Sequence, residues 1–288
     1  HYIMAIKLGT SDISKVYLGA TEVSKIYLGA TEVYSSGFGT YVDAMITRAN
    51  ALSYTLPSNA TLTDLQNRLA TIGDTALNKL DVLQIYSPDA STMDFFTLNV
   101  VAPSATQATL INAPSSSELG ILTDGSTDYI DTGFDPYNDA SNFTLNDNHF
   151  GIILSQTISD GVAVGGVRNS SGSDRISIVL TGGNDFSASN NAGGGGSSSD
   201  TSSTGYRLVQ RISSSGIKNY LDGTETSSLT TASTSIPNVG NIFLGGWNNN
   251  SSIDNQTANR YAGFTIGASL TTTEMATIST QMTAFYGR

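Results

Sequence analysis

Cysteine is absent from this 288-residue chain, which excludes disulfides, thiolate metal sites and a cysteine nucleophile and leaves stability to an apolar core. Basic side chains are scarce, 13 Lys and Arg against 24 Asp and Glu, so the formal net charge is −11. They are scattered singly, whereas a phosphate-tracking surface needs them clustered; nucleic acid is excluded as a partner, and the acidic field repels anionic membranes. Long apolar runs are missing too. No stretch approaches the ~18 residues of a membrane helix, and no basic segment followed by an apolar run opens the chain, so neither membrane insertion nor a signal peptide is expected. His1-Tyr2-Ile3 precede Met4, which we expect to be the natural start. Only 13% of residues are charged while 29 are Gly, and runs of Ser, Thr and Asn recur; such a chain turns often and forms sheet.

What is present begins with a repeat. Val16-Tyr17-Leu18-Gly19-Ala20-Thr21-Glu22-Val23 is followed by Ile26-Tyr27-Leu28-Gly29-Ala30-Thr31-Glu32-Val33, and Ile6 to Asp12 is a weaker copy, giving a period of about ten residues. Each unit offers a short strand and a Gly-Ala-Thr turn. Strands this short bury too little to stand alone. Either the rest of the same chain covers them, or other copies do, in which case residues 1–36 form an anchoring and oligomerisation segment with Tyr17, Leu18, Tyr27 and Leu28 as its apolar anchors.

After a Ser/Gly break the periodicity becomes helical. Val42, Met45, Ile46, Ala49 and Leu52 line one face of a first helix; Pro57 ends that region; Thr61 and Asp64 form a capping signature before a second stripe, Leu62, Leu65, Leu69 and Ile72, which Gly73 stops. Residues 37–80 therefore read as a small helical connector. Residues 81–288 read as many short strands with turn signals between them: Val82 to Tyr86, Phe95 to Val101, Gly151 to Thr157, Val162 to Val167 beyond the Asp160-Gly161 hairpin signal, Ile176 to Leu180, Tyr206 to Ile212, Ile217 to Leu221 running into Asp222-Gly223, Ile242 to Leu244 and Tyr261 to Ile266. A capping box, Thr271 to Glu274, opens a closing helix striped by Met275, Ile278, Met282 and Phe285. The Gly/Ser-rich stretch between Asn184 and Gly205 reads as a long surface loop. The fold class is thus mostly β, an all-β sandwich with a helical connector before it and one helix after it.

Catalytic chemistry finds few candidates. The histidines are His1 and His149, and a lone His149 at a strand edge is a weak base candidate; no Gly-x-Ser-x-Gly elbow accompanies it. Glycoside hydrolysis would need two carboxylates across a cleft. Asp128 and Asp131 are the available pair, but both read as turn residues. The Asp124 to Asp128 cluster lacks the alternation of a calcium loop, so no metal or cofactor is expected. Trp247, the only tryptophan, precedes Asn248 and Asn249, and two readings stand: a core tryptophan at a strand end, or an aromatic platform beside amides that binds a glycan.

Three stretches carry a resemblance: Asp124-Gly125-Ser126-Thr127-Asp128-Tyr129-Ile130-Asp131-Thr132-Gly133-Phe134-Asp135-Pro136, then Asn219-Tyr220-Leu221-Asp222-Gly223, then Gly263 to Thr271 with its helix. They resemble the concanavalin-A-like (laminin-G-like) lectin domains of bacteriophage structural proteins, and the Tyr-Leu-Gly-Ala-Thr-Glu-Val units resemble N-terminal segments of phage fibres. The resemblance implies a jelly-roll sandwich, usually trimeric, on the virion exterior as a head fibre, capsid decoration or tail-fibre tip, assembled in the bacterial cytoplasm. It implies contacts with other virion proteins through the N-terminus and with host-surface glycans through the sandwich. Laminarinase-type hydrolases of that sandwich carry a Glu-x-Asp-x-Glu strand that this chain lacks, so a non-enzymatic protein is expected; the alternative is a polysaccharide-degrading spike enzyme using an Asp pair.

Overall fold

The computed structural model describes residues 7–8, 11–12, 17–18, 21–22, 25–28, 31–35, 37–86, 90–157, 163–182, 185–193, 195–198 and 204–286. The repeats form six strands, β1 (Lys7–Leu8), β2 (Ser11–Asp12), β3 (Tyr17–Leu18), β4 (Thr21–Glu22), β5 (Lys25–Leu28) and β6 (Thr31–Ser35). Helices α1 (Thr40–Ala51), α2 (Asn59–Ile72) and α3 (Asp74–Leu77) follow. Next come β7 (Leu80–Ile85), α4 (Met93–Phe96), β8 (Thr109–Ile111), β9 (Ser115–Ser117), β10 (Gly120–Leu122) and β11 (Tyr129–Asp131). The long strands are β12 (Asn148–Thr157), β13 (Ala163–Arg168), β14 (Arg175–Gly182) and β15 (Asp185–Asn190), then β16 (Gly196–Ser198), β17 (Gly205–Ser213), β18 (Gly216–Leu221) and β19 (Thr224–Thr230). The chain closes with β20 (Phe243–Leu244), β21 (Trp247–Asn249), β22 (Ser252–Asp254), β23 (Asn259–Gly267) and α5 (Thr272–Tyr286).

Two sheets make the expected concanavalin-A-like jelly roll. Sheet A runs β19-β18-β17-β12-β23-β10-β9, with β7 also paired to β23; sheet B runs β16-β15-β14-β13-β20-β11-β8, with β21 and β22 attached beside β13. Pairing is antiparallel except between β13 and β21, which run parallel. Alternation along the strands fills the space between the sheets: Phe150, Ile152 and Leu154 from β12 meet Ile176, Ile178 and Leu180 from β14, all buried. Helix α5 lies against sheet A, contacting β12, β17 and β19, and α2 packs on α5. Val42, Met45, Leu62, Leu65 and Leu69 belong to the same continuous core as the sandwich, so the helical connector and the strands share one core.

Local chemistry explains the ends of these elements. At α5 the capping box closes reciprocally, with the Thr271 amide donating to Glu274 Oε2 at 2.7 Å and the Glu274 amide to Thr271 Oγ1 at 3.2 Å. Gly73 caps α2 at φ 81°. Asp222 and Gly223, at φ 51° and 84°, form the two-residue turn between β18 and β19, a conformation that suits Asp-Gly.

Four expectations are corrected. The cap of α2 is Ser58, whose side chain accepts from the Thr61 amide, rather than Thr61 itself. Phe95 to Val101 is no strand: Met93 to Phe96 form a helical turn, and Asn99 supplies the pairing a strand would have made, accepting from the Leu83 and Val101 amides and donating to the Asp81 carbonyl and Thr106 Oγ1. An apolar Phe-Phe run carries no period that separates the two states. The stretch 184–205 contains β15 and β16, which extend the edge of sheet B, because its small Ser, Ala and Gly side chains fit a crowded pleat; Ala188 is buried. Ile212, read as the last residue of the strand from Tyr206, is 55% exposed at the register shift between Arg211 and Ser213 in the β17–β18 pairing. The Asp160-Gly161 hairpin signal lies outside the described residues.

Candidate functional site

The residues singled out as a glycan platform come together on β21, at the margin of sheet B. Trp247 stands outside the continuous core and is 7% exposed. Its ring is covered by the Arg168 guanidinium, 4.3 Å from the centroid, a cation–π arrangement that the parallel β13–β21 pairing creates. Arg168 Nη2 also donates to Asp254 Oδ2 at 2.5 Å, and Asn249 Nδ2 reaches the same oxygen at 3.3 Å. The ring face that the sequence offered to a sugar carries the Arg168 guanidinium in this structure. Asn248 is structural: its amide donates to the Asn241 carbonyl at 2.6 Å and its Oδ1 accepts from the Ser251 amide at 2.7 Å. That closes the turn at Asn250 and Ser251, both at positive φ, between β21 and β22. Arg168 was not legible as a partner because only the parallel strand pair brings it to Trp247.

The same face of sheet B continues away from Trp247. Phe243 and Tyr129, on neighbouring strands β20 and β11, stack at 4.7 Å between ring centroids. Asp131 lies beside them, and its Oδ1 accepts from the Gly133 amide and from Asn241 Nδ2, each at 2.9 Å. Asp128 does not face Asp131 as a catalytic partner. It sits in the loop before β11, where its Oδ1 accepts from the Asp124 amide at 2.5 Å. Asp124 in turn accepts from the amides of Thr127, Ser126 and Asp128, which hold its carboxyl well below the usual range, while burial raises Asp128. These carboxylates tie a turn together, as their positions implied.

His149 is not a loop-edge residue. It is fully buried in β12 on the helix-facing side of sheet A, and burial lowers its pKa to about 4. The Ala268 carbonyl lies 2.6 Å from Nδ1, which must donate, so Nε2 is the acceptor for Thr265 Oγ1 at 3.2 Å. Tyr206 donates to that Thr265 hydroxyl at 2.6 Å, and Gly151 makes room, since a Cβ there would lie 2.5 Å from the Tyr206 ring. Among the described residues no His, Cys, Asp or Glu cluster could hold a metal ion. No described helix is long and apolar enough to cross a membrane.

The repeats fold as three separate hairpins, β1 with β2, β3 with β4 and β5 with β6; the register pairs Tyr17 with Glu22, Leu18 with Thr21, Tyr27 with Glu32 and Leu28 with Thr31. Among the described residues these strands pair with each other only in twos and join neither sheet.

No protein-family model matches the chain. No curated protein matches it either. Solved structures do. A mutant of Trypanosoma rangeli sialidase displaying trans-sialidase activity overlays with a TM-score of 0.54 at 9% identity, over 85% of this chain and 39% of that one. T. rangeli sialidase in complex with 2,3-difluoro-KDN gives 0.50 at 9% identity, over 75% and 39% of the two chains. The Ruminococcus gnavus IT-sialidase CBM40, bound to α2,3-sialyllactose, gives 0.39 at 13% identity, over 47% of this chain and 84% of that one, an overlap too slight to argue from. This chain spans about two fifths of the length of the Trypanosoma enzymes. At such identities the likeness shows the fold alone. It nevertheless corrects the expectation of a non-enzymatic protein. The two Trypanosoma enzymes share this fold over most of this chain's length, so the missing Glu-x-Asp-x-Glu strand does not set the fold apart from that of glycoside hydrolases.

Proposed function

We propose that the protein is a bacteriophage virion-surface protein that attaches and oligomerises through its N-terminal repeats and recognises host-surface glycans with its jelly-roll sandwich. The observation that supports attachment is the pairing of the repeats: three hairpins of two to five residues per strand that, among the described residues, close only on themselves. Isolated hairpins of this size are marginal in water, so burial from other chains is what would stabilise them. A trimer with Tyr17, Leu18, Tyr27 and Leu28 at its centre meets that need, with other virion proteins as the attachment surface. For glycan recognition, the support is the side of sheet B turned away from the core between the sheets, where Tyr129, Phe243 and the Trp247–Arg168 pair lie on strands of one sheet.

Light scattering on the full chain beside a version beginning at Ser36 tests the assembly half. A trimer that falls to monomer on truncation is the expected result, and the full chain with Tyr17→Ser and Tyr27→Ser should lose mass in the same way while its sandwich melts unchanged. A monomer in every case overturns it. A glycan array with the full chain tests the recognition half, and released reducing ends in the same incubation read whether turnover accompanies binding.

A further inference from the structure

The outer face of sheet B holds polar atoms that the fold leaves unused. Val167, Ile176 and Ile178 point into the core, so strand alternation places Arg168, Arg175 and Ser177 on the other side. Register then sets two adjacent rows: Asn249 beside Arg168 and Arg168 opposite Arg175 in one, and Ser177 opposite Ser189 in the next. Arg175 Nε donates to Ser189 Oγ at 2.9 Å, and no described carboxylate pairs with its guanidinium. The neighbouring Asp174 is spent in the β13–β14 turn, accepting from Asn169 Nδ2 at 2.7 Å. Burial, and then the charge of Arg168, hold the Arg175 pKa below its ordinary value, so the two cations sit close enough to repel. Among the described residues, Asp254 pairs with Arg168 and no carboxylate pairs with Arg175.

Three buried atoms here lack any hydrogen-bond partner: Trp247 Nε1, Arg168 Nε and Asn249 Oδ1. Two are donors and one is an acceptor, and they are set apart from the other buried atoms without partners by standing together beside two cations; a group of this kind suits a ligand that accepts and donates at once. Paired guanidinium groups select a planar anion, which they bind through parallel N–H bonds. A hydroxyl beside that anion would supply the hydrogen that Asn249 Oδ1 lacks and the lone pair that Trp247 Nε1 lacks.

We propose that this face binds a carboxylate-bearing sugar, with Arg168 and Arg175 on the carboxylate and Trp247 Nε1 and Asn249 Oδ1 on adjacent hydroxyls. The proposal rests on the glycan-recognition reading above and narrows it to acidic glycans. Trp247 is the only tryptophan, so its emission reports this site alone.

The test titrates the full chain with sodium glucuronate oligosaccharides, their neutral glucose counterparts and inorganic phosphate, following Trp247 emission. A saturable change with the glucuronate series, at least tenfold weaker in Arg175→Gln and restored in part by Arg175→Lys, is the expected outcome; unchanged melting of both variants shows that the fold is intact. An equal response to the neutral series removes the carboxylate from the recognition, and an equal response to phosphate removes the sugar; either overturns the proposal. No response from Trp247 while the array shows glycan binding also overturns it but leaves the broader function standing, whereas silence in both sinks the two together.

Discussion

Two groups of buried polar side chains, one on each sheet, differ in a way that separates architecture from recognition. Under the helices, on sheet A, His149, Thr265 and Tyr206 form a chain in which each group has its partner and which ends on the Ala268 carbonyl. On the outer face of sheet B, Trp247 is buried and Arg168 and Asn249 are half-buried, and each keeps a buried atom without a partner. A satisfied network stiffens one packing and resists change. An unsatisfied one at a margin costs stability in the free protein and is repaid only when something binds. The first group should therefore be intolerant of substitution and the second tolerant.

The largest contrast is expected at His149. His149→Leu removes the donor to Ala268 and the acceptor for Thr265 in a fully buried position, and it should cost about 3–5 kcal/mol in denaturant unfolding at neutral pH. A loss near 1 kcal/mol would put this network on the same footing as the sheet B group and erase the distinction.

Next in size is a pH effect with a fixed sign. Folding lowers the His149 pKa from 6.5 to about 4, so the unfolded chain takes up a proton before the native chain does. Stability present above pH 6.5 is lost as pH falls toward 4, by about 3 kcal/mol in all. The surrounding charges are Asp147, Glu274 and Lys79. Burial works against ionisation of Glu274, but bonds from Lys79 and Thr271 hold its pKa below 4.5, so its own loss begins as pH falls through 4.5, at the foot of the histidine window. Unfolding measured at pH 7.5, 6.5 and 5.5, above the carboxylate range, should show the decline begin in the parent protein and a flat profile in His149→Leu over the same range. A decline that persists in the variant would assign it to other groups instead.

The two groups were also unequally legible in the sequence. Features set within a few residues were readable: the Thr271–Glu274 box, the Gly73 stop, the Asp222-Gly223 turn and the alternation of Ile176, Ile178 and Leu180. Trp247 with its asparagines stood out as a candidate from composition alone, but the meaning of the site lies in Arg168 and Arg175, which reach it through pairings between β13, β14 and β21. His149 looked like a loop edge because the partners that bury it, Thr265 and Ala268, come from the far end of the chain. Phe95 and Phe96 misled for a different reason: two large apolar residues buried on every side follow neither period, and Asn99 then stands in for a strand partner. The serine-rich β15 and β16 show the converse, where weak propensity is overruled by a vacant sheet edge.

On sheet B the expected effects are smaller. Arg168→Gln gives up the contact with the Trp247 ring and a partly exposed ion pair with Asp254, together worth about 1 kcal/mol. Its clearest readout is spectroscopic, since removing the cation should change Trp247 emission in the free protein.

Arg175→Gln is the smallest and the most discriminating. Arg175 has one neutral hydrogen bond, to Ser189, and a like charge as neighbour, so removing its charge relieves repulsion while losing little, and the net change should fall within about 0.5 kcal/mol of zero. A surface cation retained for stability would behave otherwise. If thermal and denaturant unfolding show Arg175→Gln to be destabilised by 2 kcal/mol or more, the guanidinium is a structural element like His149 and the contrast between the two sheets fails. If stability is unchanged while the glucuronate response of Trp247 collapses, the cost of holding two cations side by side on an acidic protein is being met by what they bind.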